Sequence, residues 1–329
     1  MSHSDPEKQS ILHGILKKDR RSLAKAITLI ESSTEEDKAL ALDLLKSLPS
    51  TPHSQRIAFS GPPGAGKSTL IDEFGSYLIQ QGKSVAVLAI DPSGQIQDSL
   101  KGGALLGDKT RMTSLSKNTH AFIRPSPSKS GTLGGTTSTT ADVIRLLEAA
   151  QFDVIFVETI GTGQNEIDAS FLTDLIVLVL APGSGDALQG IKRGILEHAD
   201  IILVNKDDGD LKREAELTAQ EYFSATKSKD KIILKCSALQ KTGFAALDAA
   251  INGFYEQHSQ DLDHKRLNQE IHQFKRRLEQ EWPAILQHTP ILRDLTQNLI
   301  AEIRDHKSIP RESCERFYKI MTNLLTKPP

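Results

Sequence analysis

The chain has 329 residues, of which 38% are hydrophobic and 25% are charged, and its formal net charge is −2. This composition supplies enough apolar material for a folded core and excludes disorder throughout the chain. The near-neutral charge argues against a surface that attracts nucleic acid, so no nucleic-acid partner is expected. Two cysteines, Cys236 and Cys314, exclude a disulfide framework and a four-cysteine metal site, and they are typical of a reducing, cytoplasmic setting.

No stretch of the sequence has the pattern of a secretory signal or a membrane span. The first ten residues, MSHSDPEKQS, are polar, whereas a signal peptide is basic and then apolar. The most apolar run, LIVLVLA at residues 175–181, is far shorter than the ~20 residues that a helix needs to cross a bilayer. We therefore expect no membrane association.

Three regions are predicted along the chain: an N-terminal helical segment (1–50), an α/β domain (51–255) and a C-terminal helical region (256–329). In the first region apolar residues recur at helical spacing, and PSTPHS at 49–54 is typical of a linker. In the second region short, continuously apolar runs alternate with helical or loop segments. The runs lie at residues 56–60, 84–90, 153–158, 174–180, 200–205 and 231–236. Continuous hydrophobicity indicates strands that are covered on both faces, so the sequence predicts a doubly wound, mostly parallel sheet.

The C-terminal region is predicted to form long, charged helices at about 262–281, 291–307 and 310–325. The first of them carries a narrow apolar stripe suited to docking on another helix or chain: Leu267, Ile271, Phe274 and Leu278. Basic residues in the same helix, including Lys265 and Arg266, alternate with acidic ones and are interpreted as a solvent-exposed face.

The segment GPPGAGKST at residues 61–69 follows an apolar run and precedes a helical pattern, and it fits the phosphate-binding sequence G-x-x-x-x-G-K-[ST]. Glycines in this pattern let backbone N–H groups point at a phosphate, and the helix N-terminus adds further donors. Lys67 is expected to reach the β- and γ-phosphates, and Ser68 to hold Mg²⁺. The residues expected to contact the nucleotide here are Gly61, Pro62, Pro63, Gly64, Ala65, Gly66, Lys67, Ser68 and Thr69.

A second motif, NKDD, follows the predicted strand at 200–205. Asn205, Lys206 and Asp208 match N-K-x-D, in which a carboxylate accepts hydrogen bonds from two guanine nitrogens that adenine does not offer. The sequence therefore favours GTP over ATP. Proteins with this motif place a backbone contact to the guanine oxygen after the next strand, so Ser237 and Ala238 are expected to make that contact.

The sequence ETIGTG at 158–163 is interpreted as the element that senses the γ-phosphate. Glu158 replaces the more usual aspartate and is expected to order a water on Mg²⁺, while the Gly161 amide meets the γ-phosphate. No glutamine directly follows Gly161, so Gln164 is the nearest candidate for orienting the attacking water. Asp91 and Asp108, in a long loop, are further candidates for metal binding.

Several strings together resemble the MeaB/ArgK family, the bacterial relatives of the methylmalonic aciduria type A protein. They are DPSG, GGALLGDKTRM, FIRPSPSKSGTLGG, FDVIFVETIGTGQNE and APGSGDALQGIKRGILEHADIILVNKDDGD. The resemblance covers nearly the whole chain. The loop after Asp91 is longer than is usual in the family, and TTSTTAD at 136–142 replaces a usually more basic stretch, so the partner stays more open than the nucleotide.

The resemblance implies a GTPase of the class that includes signal-recognition-particle and metal-insertion GTPases. It implies a homodimer held partly by C-terminal helices, and a chaperone for an adenosylcobalamin-dependent acyl-CoA mutase, commonly methylmalonyl-CoA mutase. GTP and GDP with Mg²⁺ are the implied ligands. Residues 182–192 match a third mobile element of such relatives, in which Gln189 and Lys192 are the candidates for communicating with the mutase.

Other functions remain open on sequence grounds. A metal-insertion GTPase would need soft ligands near the switch, but the ten histidines are scattered and no Cys-x-Cys is present. A nucleotide-dependent kinase or regulator linked to basic amino-acid transport is a further alternative, as is a scaffold that binds nucleotide without turnover. A protein-targeting GTPase is disfavoured because only three methionines are present.

Overall fold

The structure is a computed structural model that describes residues 5–32, 34–49, 54–90, 112–126, 135–159, 165–183, 193–226 and 231–326. The chain divides into two compact units, with the boundary between Gln273 and Phe274. The first unit contains the sheet and the segment GPPGAGKST at 61–69, and the second unit is helical.

Seven strands occur in the described part of the chain, and they pair into one parallel sheet. The strands are β1 (Gln55–Ser60), β2 (Val85–Ile90), β3 (Ala121–Ser126), β4 (Val154–Thr159), β5 (Leu175–Leu180), β6 (Ile201–Val204) and β7 (Ile232–Lys235). Their order across the sheet is β3-β2-β4-β1-β5-β6-β7, and every pairing is parallel. The predicted doubly wound parallel sheet is confirmed.

Helices cover both faces of this sheet. Those in the first unit are α1 (Asp5–Leu16), α2 (Arg20–Glu31), α3 (Glu35–Ser47), α4 (Lys67–Gln80), α5 (Thr113–Lys117), α6 (Gly135–Ala149), α7 (Asn165–Ser170), α8 (Arg193–His198), α9 (Lys212–Thr226), α10 (Phe244–Gln257) and the start of α11 (Leu262–His288). Within the ranges that the structure covers, no helix combines the length and the apolar character needed to cross a bilayer.

Successive residues of the central strands point to opposite faces, so each strand feeds two cores. On one face Phe156 of β4 packs with Phe74 of α4, whose ring also meets Phe244 of α10. On the other face Ile155 of β4 packs with α6 and the N-terminal helices, which bury Ile27. Helices α1 to α3 therefore share a core with the sheet.

The edge strand β3 was not predicted from the sequence. Its sequence, AFIRPS, contains Pro125 and polar residues, which lower the strand signal. The strand pairs only with β2, residue for residue from Ala121 to Ser126, and lies at the edge of the sheet. A proline is tolerated there because an edge strand leaves one row of backbone groups without a partner strand.

A buried ionic network joins the start of α11 to the amino ends of β1 and β5. The Asp174 carboxylate, which is fully buried, accepts hydrogen bonds from Arg266 Nε at 3.0 Å and Nη2 at 2.6 Å. It also accepts bonds from the Tyr255 hydroxyl at 3.0 Å and the Arg56 amide at 3.1 Å. Arg56 in turn makes a two-point ion pair with Glu148 of α6.

The interpretation of Lys265 and Arg266 as solvent-exposed is therefore wrong. Arg266 lies in this network, and Lys265 Nζ donates to the Asp174 carbonyl oxygen at 2.5 Å. A buried carboxylate requires a cationic partner, and that partner comes from a residue 92 positions away in sequence.

The second unit contains the end of α11, α12 (Pro290–Arg304) and α13 (Pro310–Thr326). Pro290 occupies the first turn of α12, where its missing N–H is tolerated. Arg316 of α13 forms an ion pair with Glu302 of α12, and the Ser308 and Ser313 hydroxyl groups lie 2.9 Å apart. The ion pair links α12 to α13, and the serine pair joins the connecting loop to the first turn of α13.

Replacing Asp174 by alanine is expected to destabilise the protein by about 3–5 kcal/mol, because it leaves the Arg266 guanidinium buried without its carboxylate. The measurement is urea unfolding followed by circular dichroism. Asp294→Ala is the control, because its ion pair with Arg293 is exposed and should contribute less than about 1 kcal/mol. Equal midpoints for the two variants would contradict the role of the network.

Candidate functional site

The residues singled out by the sequence motifs come together at the carboxyl ends of β1, β4 and β6. Residues 61–66 join β1 to α4, Glu158 lies near the end of β4, and Asn205 directly follows β6. In open parallel sheets this edge is where ligands bind, because the strand ends and the helix N-termini converge there.

The backbone of the 61–66 loop requires glycine at defined positions. Gly61 has φ +140°, and a Cβ on it would lie 2.0 Å from the Val179 carbonyl oxygen of β5. Gly66 has φ +89°, and a Cβ there would lie 2.5 Å from Asn205 Nδ2. Gly64, with φ +80°, is also left-handed but faces open space. The loop therefore packs closely on β5 and Asn205 while its outer turn stays open.

Lys67 is the first residue of α4, and its side chain folds back over the loop. Lys67 Nζ donates to the Gly61 carbonyl oxygen at 2.7 Å and to the Pro62 carbonyl oxygen at 3.1 Å. The preceding residue, Gly66, has no side chain to cap the helix. An ammonium group and an uncapped helix N-terminus on one loop form a site suited to an anion.

Ser68 and Glu158 meet at the mouth of the same loop. Ser68 Oγ donates to Glu158 Oε1 at 2.7 Å, and the Glu158 side chain is buried. A hydroxyl and a carboxylate oxygen side by side are ligands that suit Mg²⁺, so the described residues fit this ion. Strand β2 ends beside them, since Ile90 pairs with Thr159 of β4.

Asn205 joins the loop at residues 61–66, called the phosphate loop below, to the segment after β7. Its amide nitrogen donates to the Ala65 carbonyl oxygen at 3.0 Å, and its amide oxygen accepts from the Ala238 amide at 3.0 Å. The side chain is 1% exposed. Lys206 adds a second link, because its Nζ donates to the Gly64 carbonyl oxygen at 2.7 Å.

Asp208 and Ser237 are also in contact. The Ser237 hydroxyl donates to Asp208 Oδ2 and accepts from the Gln240 amide at 3.0 Å. Ser237 and Thr242 exchange two backbone hydrogen bonds of 3.1 Å, which close the 237–242 turn. These bonds fix the Asp208 carboxylate against the 237–242 turn.

Gly243 and Cys236 support this turn, and Gly243 was not singled out from the sequence. Gly243 has φ +83°, and a Cβ there would lie 2.4 Å from the Lys235 carbonyl oxygen, so only glycine lets α10 begin here. Burial raises the pKa of the Cys236 thiol to about 12, which keeps it protonated beside Asn205. A glycine just before a helical pattern is the signal that could have identified the turn.

The remaining candidates divide into two groups. Pro62, Pro63 and Thr69 lie in or just after the loop, with Pro63 and Thr69 exposed. Others lie outside the described residues: Asp91, Asp108, Gly161, Gln164, Gln189 and Lys192. Ser60 and Thr159, at the ends of β1 and β4, were missed. Their hydroxyl groups are buried and have no hydrogen-bond partner among the described residues.

A family model described as methylmalonyl Co-A mutase-associated GTPase MeaB matches residues 23–290. The chain belongs to the MeaB family of GTPases. The resemblance seen in the sequence is confirmed, and a GTPase role is supported with it.

Individual relatives agree with this assignment. A probable GTPase of Mycobacterium tuberculosis is 41% identical over 284 residues, which are 82% of this chain and 82% of that protein. A mitochondrial methylmalonic aciduria type A homolog of Caenorhabditis elegans is 35% identical over 340 residues, 97% of this chain and 84% of that protein. The crystal structure of an LAO/AO transport system kinase matches with a TM-score of 0.74 and 29% identity, covering 97% of this chain and 98% of that chain.

The Asp208→Asn variant of this MeaB-family protein is expected to prefer xanthine nucleotides to guanine nucleotides. An asparagine amide nitrogen can donate to the second carbonyl of xanthine, but it cannot accept from the guanine amine as the carboxylate oxygen in its place does. Competition binding should show GTP weakened by about 100-fold or more and xanthosine triphosphate strengthened. Unchanged preference would contradict the assignment of Asp208 to base recognition.

Proposed function

We propose that this protein binds GTP and hydrolyses it to GDP and phosphate. The observation that carries the proposal is the link from Asn205 and Lys206 to the carbonyl oxygens of the phosphate loop. Because of this link, a carboxylate able to read guanine and a loop able to hold phosphates belong to one rigid arrangement. The family membership supports the same conclusion.

The proposed ligands are GTP or GDP together with Mg²⁺, held by Ser68 and Glu158. Bound Mg²⁺ would neutralise charge on the phosphate oxygens during transfer. Lys67 would exchange its bonds to the Gly61 and Pro62 carbonyl oxygens for bonds to the β- and γ-phosphates. Asp91 and Asp108 are proposed as additional oxygen donors to the metal site.

For the hydrolytic step we assign roles to residues of three segments. The Glu158 carboxylate would order a water on Mg²⁺, and the Gly161 amide would contact the γ-phosphate. Gln164 would orient the second water, which attacks the γ-phosphate. Lys192, with Gln189 in the third element, is proposed to communicate with the mutase. Intrinsic turnover should be slow, because neither a directly adjacent glutamine nor an arginine finger is evident, and such groups supply about 10³–10⁵ in rate.

The proposed client is an adenosylcobalamin-dependent acyl-CoA mutase such as methylmalonyl-CoA mutase. Support comes from the description of the family model, which names association with that mutase, and from the methylmalonic aciduria type A homologs. In this proposal the nucleotide state gates loading and protection of the cofactor on the mutase.

We further propose that the region 256–329 serves homodimerisation. The apolar stripe of α11 supports this, since its members are exposed: Leu267 by 53%, Ile271 by 43%, Phe274 by 62% and Leu278 by 52%. A row of exposed apolar side chains on one long helix is typical of a surface that another chain covers. A second copy supplies the same stripe in a two-fold arrangement.

A second candidate function follows from the solved relative described as an LAO/AO transport system kinase. In that case GTP would serve as a phosphoryl donor to another protein, or as a regulator of basic amino-acid transport. Both functions use the same nucleotide site, so an experiment must distinguish them by which partner protein changes GTP turnover or receives the phosphoryl group.

The test is steady-state GTP hydrolysis by the purified protein, with and without methylmalonyl-CoA mutase. We expect turnover to rise at least about tenfold when the mutase is added, because a partner can supply a charge-stabilising group such as an arginine finger. Co-elution with the mutase should accompany the stimulation. Lys67→Ala should remove both the basal and the stimulated activity.

A Lys83→Ala variant is the matched control, since Lys83 pairs with Asp248 at the opposite end of α4 and should leave hydrolysis unchanged. Indifference to every adenosylcobalamin-dependent mutase would contradict the client assignment. Transfer of the γ-phosphoryl group to a protein substrate in place of water would favour the kinase alternative.

A further inference from the structure

Helix α11 is buried on a polar face and exposed on an apolar one. Its stripe Arg266, Gln269 and Gln273 lies against residues 170–174, and the two glutamines are buried. The stripe that includes Leu267 and Ile271 faces solvent in the single chain. This arrangement reverses the usual pattern of a surface helix, in which the apolar face packs on the core.

The polar face holds the short connection between α7 and β5. Gln269 Nε2 donates to the Ser170 carbonyl oxygen at 3.0 Å and to the Thr173 carbonyl oxygen at 2.8 Å. Gln273 Nε2 donates to the Phe171 carbonyl oxygen at 3.3 Å. The Phe171 ring is stacked on His272 with centroids 3.6 Å apart. Because the Gln269 contacts are carbonyl oxygens, its nitrogen must be the atom that faces them.

Polar contacts from α11 hold the carboxyl end of α7. Of the α7 side chains that the structure describes, Ala169 is the fully buried one, and it packs with Ala58 and Ile176. Ser170 ends the helix, and a helix end leaves carbonyl groups that need donors. Gln269 supplies that donor from α11.

The polar stripe is not the arrangement that stability alone would favour. The amide oxygens of Gln269 and Gln273 are buried and accept no hydrogen bond from any described residue. Burying an acceptor without a partner is unfavourable, whereas a methionine of similar length would bury no polar group. What glutamine provides and methionine lacks is a directional hold on the α7 terminus.

The neighbouring helix α8 is held in the same way. Lys231 Nζ donates to the Ala199 carbonyl oxygen at 2.7 Å and to the Glu197 carbonyl oxygen at 3.1 Å, at the end of α8. Helices α7 and α8 also contact each other. Thus a long donor side chain from elsewhere in the chain fixes the far end of each.

We propose that Gln269 is a positioning residue for GTP turnover, an inference that rests on the proposed function. Helix α7 begins at Asn165, seven residues after Glu158 in sequence, so holding its far end limits where its first turn can lie. The same bonds tie that position to α11, which continues to His288. In this proposal Gln269 affects the rate of GTP hydrolysis and not the affinity for the nucleotide.

The test compares kcat and KM for GTP, and the Kd for GDP, in full-length wild type, Gln269→Met and Gln269→Lys. Methionine removes the donor at similar length and should lower kcat about tenfold, with KM and Kd changed by less than about twofold. Lysine restores a donor to the two carbonyl oxygens, as Lys231 provides for α8, and should return kcat to within about threefold of wild type. Gln257→Met, at an exposed glutamine of α10, is the control.

A wild-type kcat in Gln269→Met would overturn the positioning role. So would a lysine variant no better than methionine, or a loss confined to KM and Kd. If Gln269→Met does not fold, Gln273→Met gives the same comparison with a smaller expected loss of kcat, and no loss there overturns the proposal. An inactive wild type contradicts the proposed function itself, whereas an active wild type with indifferent variants contradicts the role of Gln269 only.

Discussion

The buried amide of Asn205 joins segments that lie far apart in the chain. With one donor and one acceptor it ties the Ala65 carbonyl of the phosphate loop to the Ala238 amide of the turn after β7. A buried amide that satisfies two backbone groups fixes their separation, because breaking either bond leaves a polar group without a partner. In the proposed GTP site this side chain would set the distance between the bound phosphates and the bound base, and with it the selectivity for guanine.

The same constraint explains why the loop is built from glycine and main chain. Gly66 must approach Asn205 more closely than any side chain allows, and Gly61 must approach β5 in the same way. Because Gly61 and Gly66 pack against β5 and Asn205, the loop leaves Pro63 and Gly64 on its open side.

Local patterns predicted the parallel sheet, the phosphate loop and the base-recognition motif, because each depends on residue types that are adjacent in sequence. Long-range side-chain pairs were not predictable. Arg266 has the composition of a solvated helix face, and only the fold shows that it meets the buried Asp174. Gln269 carries no local signal at all, since its partners are backbone carbonyls that any sequence would supply. The edge strand β3 escaped notice because Pro125 weakens the strand pattern where the fold tolerates it.

The central claim is that one rigid arrangement grips the phosphates through main chain and Lys67 while it reads guanine through Asp208. Isothermal titration calorimetry with GTP, GDP, ATP and guanosine, in the presence of magnesium, tests it most directly. We predict that GTP and GDP bind, that guanosine without its phosphates binds at least about 100-fold more weakly, and that ATP is weaker by a similar factor. Equal affinity for GTP and ATP, or no heat with any guanine nucleotide, would contradict the claim.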